Sequence, residues 1–106
     1  MRWFLAAAAL VAMAVPVAAG TSAACEEDLA NVSMSFDETL ARLDSVANAD
    51  TDAKCSAYRH HIDVMSAGRE VFMRCLAGHD RSENVGQLED SITDFRVVVG
   101  RLCPNE

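Results

Sequence analysis

From Cys25 to about Ala47 the apolar positions are Leu29, Val32, Phe36, Leu40, Leu43 and Val46. They are spaced by three and four residues, the mark of one helix face. Glu26, Glu27 and Asp28 fall in the first turns, where the helix dipole favours acids. Glu38 and Arg42 stand at i,i+4 and are expected to pair. A second run of the same period, Val85, Leu88, Ile92, Phe95, Val99 and Leu102, predicts another helix that Pro104 ends. Val97-Val98-Val99 has strand propensity, but the helical period outweighs this local bias.

Between them, residues from about Asp52 to Leu76 carry two apolar stripes. One is Tyr58, Ile62, Met65, Arg69, Phe72 and Leu76; the other is Ala57, His61, Val64, Gly68, Val71 and Cys75. At 100° per residue the stripes lie about 95° apart. A helix with two seams packs on two neighbours, so this one is central. Its remaining face holds Arg59, Asp63, Ser66, Glu70 and Arg74, with Arg59/Asp63 and Glu70/Arg74 as expected i,i+4 pairs. Asn48-Ala49-Asp50-Thr51 is the first turn, with Asp50 or Thr51 as the cap of the central helix. Ala77-Gly78 ends that helix with Gly78 at C′, and Asp80 with Glu83 reads as a capping box for the third. The fold class is all-α, an up-down-up three-helix bundle.

Four cysteines allow three pairings. Cys55 and Cys75 stand about 30 Å apart along one helix, too far for a bridge. Cys25 lies far from the first turn and Cys55 close to it, so those two do not meet. Cys25 and Cys75 are symmetric about the first turn, and Cys55 and Cys103 about the second. The expected disulfides are therefore Cys25–Cys75 and Cys55–Cys103, one at each end of the bundle. By the same symmetry His61 faces the first helix near Thr39 or Glu38. Arg69, the one charge on the Tyr58 stripe, meets Glu89. His61, Arg69 and Glu89 are the expected buried or partly buried polar groups.

The N-terminal segment changes the picture of where the chain works. Met1-Arg2 precedes an apolar run from Trp3 to Val15, then Pro16, then small residues to Ala24. This order of charge, apolar core and small residues is that of a secretory signal peptide over residues 1–20, with cleavage sites possible up to residue 24. A cut after Ala19 or Gly20 is favoured. The strong apolar core is too short to span a bilayer, so no stable membrane anchor is expected after cleavage. A lipidated Cys25 fits poorly: Ser22 stands where a Leu-like residue is usual, and three cysteines would be left over. The domain is then 25–106. It contains one Lys, seven Arg and abundant Ala, a usage that suits a GC-rich bacterial genome, so a periplasmic or secreted location is expected.

The whole chain has 9 basic and 16 acidic residues, a net charge of −7. Without Arg2 the remaining domain carries −8. That balance excludes nucleic acid and anionic membranes as partners. With the cysteines paired there is no thiol nucleophile, and Cys-x-x-Cys, Gly-rich phosphate loops, Gly-x-Ser-x-Gly and His-Glu-x-x-His are absent from the sequence. No enzyme activity and no cofactor are expected. His60 and Asp63, at i,i+3 with Ser56 nearby, are the only candidate metal ligands, and two or three weak ligands do not close a site. The balance of readings places His60 on the surface, His61 in the core and His79 in a loop. Phe36, Tyr58, Phe72 and Phe95 all fall on seams, leaving no aromatic platform for a ligand.

The expected function is a small exported non-catalytic protein that binds another exported protein through its acidic surface, as an inhibitor, immunity protein or accessory subunit. The alternative is a periplasmic metal- or small-ligand-binding protein that uses His60 and Asp63. A stress chaperone is a third reading, opposed by the rigid double staple.

Overall fold

The computed structural model describes residues 22–104. The signal peptide expected over 1–20 lies outside the described residues. Three helices follow one another: α1 (Ala23–Ser45), α2 (Thr51–Cys75) and α3 (Gly78–Leu102). α1 is antiparallel to α2, and α2 to α3, so the outer helices run parallel. Cys25–Cys75 and Cys55–Cys103 are both formed, with Cα separations of 5.5 and 5.8 Å. Disulfides of this kind persist in an oxidising, extracellular-type environment. Among the described residues no helix is long and apolar enough to cross a membrane.

Helix ends show where local chemistry departs from the sequence reading. α1 begins two residues before Cys25 because the Ser22 side chain accepts a hydrogen bond from the Cys25 amide at 3.0 Å. α1 therefore reaches back past Cys25, with Ser22 as its N-cap. Asp50 caps α2, accepting from the Ala53 amide at 2.9 Å. The capping box expected from Asp80 and Glu83 does not form. α3 starts at Gly78, with Ala77 as a cap that makes no side-chain hydrogen bond. Gly78 is not the C′ residue of α2 either, since that helix stops at Cys75 with Leu76 as its cap. Gly78 instead takes φ +57° and reverses the chain directly into α3. Asp80 is left inside the first turn, a favourable place for an acid.

Helix α2 is central, as its two seams require. Ala57, His61, Gly68 and Cys75 are buried on the stripe that meets α1, and Cys55 forms a core cluster with Val99 and Cys103 that Tyr58 and Ile62 pack against. Gly68 leaves no room for a side chain facing α1. A Cβ built there would lie 2.7 Å from Phe36 Cζ and 3.3 Å from Val32 Cγ1. Phe36 packs edge-on against Phe72 with ring centroids 6.2 Å apart, and Tyr58 against Phe95 at 5.8 Å.

On α1 the seam departs from the expected set at one position. Leu40 is 55% exposed, and Thr39 is buried in its place at 1%. The buried α1 positions Cys25, Val32 and Thr39 recur every seven residues, so the contact follows a heptad rather than the apolar residues alone. Leu102, also expected in the core, is 39% exposed because the seam passes to Cys103.

The arrangement is open. No Cα of α1 comes within 8 Å of a Cα of α3. Helices in direct contact, with axes about 9 Å apart and Cα atoms about 2.3 Å from each axis, bring Cα atoms within 8 Å, so the outer axes stand farther apart than contact distance. Seams about 95° apart on α2 and interaxial distances near 9 Å give about 13 Å, in agreement. A closed triangular bundle would bring the outer axes to about 9 Å. In cross-section the helices therefore form an L with α2 at its corner.

Candidate functional site

Local helical pairing was expected for three pairs of charged residues, but Glu38–Arg42 and Glu70–Arg74 do not form. Arg42 donates to the Ser56 hydroxyl at 3.0 Å instead of pairing with Glu38. Arg74 pairs with Asp28 of α1 at 3.2 Å instead of with Glu70, which pairs with Arg69 at 3.2 Å. Cross-helix partners win because the central helix presents its edges to two neighbours.

Arg69 and Glu89 meet across α2 and α3, with Arg69 Nη2 and Glu89 Oε2 2.7 Å apart and Nε donating to the same oxygen at 2.8 Å. These bonds, then the Glu89 charge, raise the Arg69 pKa and hold the guanidinium charged. The expected burial does not extend to the acid: the side chains are 32% and 51% exposed. Arg69 snorkels from the seam to its rim and meets Glu89 in solvent. A double-mutant cycle over these two positions should show coupling at low salt that largely vanishes at about 1 M salt. Coupling unchanged by salt would contradict this exposed geometry.

His61 sits where all three helices converge. It is 6% exposed, shares a hydrogen bond of 3.1 Å between Nδ1 and the Thr39 hydroxyl, and lies 4.6 Å from the Phe95 ring between centroids. Desolvation, with a smaller push from neighbouring His60, lowers its pKa from the ordinary 6.5. The unfolded chain then binds a proton more readily than the folded one. The stability this provides is complete above pH 6.5 and is lost as pH falls through the lowered folded value. Denaturation series from pH 8 to pH 5, each about one unit apart, should show wild type losing more stability on acidification than His61→Gln. Parallel pH profiles for the two proteins would disprove the assignment.

The other histidines are open to solvent. His60 is exposed, as is Asp63. Among the described residues no group of three or more His, Cys, Asp or Glu is placed to hold a metal ion. His79 belongs to the first turn of α3 rather than to a loop, and its Nε2 lies 3.7 Å from Glu83.

What remains is surface. Glu26, Glu27, Asp37, Glu38 and Asp44 are exposed along α1, and Glu83, Asp90 and Asp94 along α3. Between these outer helices the L leaves an open cleft lined by Leu29, Ser33 and Phe36 of α1, Phe72 of α2, and Gln87 and Leu88 of α3. The sequence reading missed this cleft, although two seams about 95° apart already imply it. No protein-family model, no curated protein and no solved structure matches the chain.

Proposed function

We propose that this is an exported, non-catalytic protein that binds another exported protein through its acidic surface. The observation that carries the reading is the row of exposed carboxylates on the two outer helices. Like charges held on rigid parallel helices steer a basic partner and discriminate against acidic ones. The disulfides agree with an exported life, and the −8 domain with a protein rather than a nucleic-acid partner. Ser22 bears on the leader. Cleavage after Ala19 or Gly20 keeps the α1 cap, whereas cleavage after Ala24 removes it.

Photo-crosslinking in the exporting cell tests the reading. A cross-linking residue at Glu27 or Asp90 should give a discrete adduct with another exported protein. The triple change E26Q/D37N/D44N should reduce it severalfold. Intact exported protein that forms no adduct from any exposed acidic position would refute it.

A further inference from the structure

We infer that the cleft between α1 and α3 is a docking groove for a basic amphipathic helix, which completes a four-helix arrangement around α2. The inference rests on the protein-binding reading above and names the chemistry of the partner. Two helices set at about a right angle on a third occupy three corners of a square, and the diagonal of such a square is about 13 Å for sides near 9 Å. The lack of any Cα approach within 8 Å between α1 and α3 agrees with that spacing, which makes the fourth corner helix-sized.

The walls of this corner are apolar where they have no structural need to be. Leu40 is 55%, Val98 41% and Leu102 39% exposed. Leu40 lies one helical turn beyond Phe36, on the same face of α1 that lines the cleft. Val98 and Leu102 lie three and seven residues beyond Phe95, on the side of α3 that carries Gln87. The register set by the two disulfides puts Leu40 and Val98 level with each other across the cleft. The strip from Leu29 to Leu43 spans about 21 Å, enough for about four turns of a bound helix. Singly exposed apolar residues are ordinary, but three that converge on one vacant corner form a surface built for a partner.

Charge selects the occupant. Beyond the apolar walls the outer edge of α1 carries Glu26, Asp37 and Asp44, and that of α3 carries Glu83 and Asp94, with Arg101 as the basic exception. A second copy would bring acidic edges against acidic edges, and an anionic lipid surface would be repelled. A helix with a Leu-rich stripe flanked by Lys or Arg satisfies both walls and edges. This is helix-in-groove recognition, with apolar anchors at i, i+3, i+4 and i+7.

The probe is a synthetic helical peptide of about 18 Leu and Lys residues in amphipathic order, long enough to hold helical structure in the groove. Methyl NMR and calorimetry report where and how tightly it binds. Binding should perturb the Leu40, Val98 and Leu102 methyls. L40S/V98S/L102S, which leaves every charge in place, should weaken it at least tenfold while retaining the wild-type circular dichroism. Met34→Ser serves as the control, because Met34 lies about 120° around α1 from Leu40 and is also exposed; it should bind as wild type. D37N/D44N/D94N should weaken binding severalfold at low salt. Salt-sensitive binding that ignores L40S/V98S/L102S would overturn the groove and leave the acidic-surface reading standing. No binding of the peptide at any site would count against both. Self-association abolished by L40S/V98S/L102S would show that the occupant is a second copy, and adsorption to neutral phosphatidylcholine vesicles through these residues would show that it is lipid.

Discussion

Replacing Cys55 and Cys103 together by Ser should lower stability by about 4 kcal/mol in the loop-entropy account, and replacing Cys25 and Cys75 should cost about as much. The bridges close loops with sequence separations of 48 and 50 residues, which is why the two expected losses are nearly equal. The enthalpic environments differ. Cys55–Cys103 lies in a core cluster with Val99, packed by Tyr58 and Ile62, while Cys25–Cys75 sits beside Arg74 near the end of α2. Losses by either pair that approach the whole stability of the domain are expected, because native domains are stable by only about 5–15 kcal/mol. Urea denaturation of the two double variants against wild type measures this. A loss below about 1 kcal/mol for either pair would mean that the helices hold their register without the bridges.

Gly68→Val should be the most damaging single substitution in α2. Alanine already places its Cβ 2.7 Å from Phe36 Cζ, and the Val32 side chain closes the other side. Some relief is available, since Phe36 is only partly buried and its ring can swing outward. Alanine should therefore cost about 1–3 kcal/mol, the usual range for overpacking, and valine more. The two-residue change G68A/F36L should recover part of the loss if the ring is the obstacle. Thermal melts of the three variants decide this; a Gly68→Ala protein as stable as wild type would show that α1 and α2 separate readily. Glycine is otherwise unfavourable in a helix interior by about 1 kcal/mol relative to alanine, so close approach is the physical reason for its presence.

Much of this fold is legible in the sequence. Cysteines symmetric about each turn fix pairing and register together, and that register carries Thr39 to His61 and Arg69 to Glu89. The misses have local causes. A reading by hydrophobicity passes over Thr39 and chooses Leu40, because a hydroxyl becomes a core group only through the partner it finds. Ser22 is overlooked as a cap because it stands among small residues that the sequence pattern assigns to an expected leader. The Asp80–Glu83 pattern is outcompeted by a glycine that turns the chain two residues earlier. The candidate docking groove lies at a further remove. Periodicity identifies which residues face inward, whereas a vacant corner is a property of three axes at once. Its outward-facing Leu40, Val98 and Leu102 look like ordinary members or neighbours of the seams until the axes are placed.

The order in which the cysteines pair also governs what a protease can do. Along the chain they join first to third and second to fourth, so the two loops interlock. A single backbone cut anywhere between Cys25 and Cys103 is spanned by at least one bridge. Cuts in both turns would separate the three helices as peptides, yet Cys55 and Cys75 both belong to α2, which would still hold α1 through one sulfur pair and α3 through the other. A nicked molecule therefore remains one covalent body with its register intact. Freeing the three helices by cuts in the two turns then requires reduction as well as proteolysis.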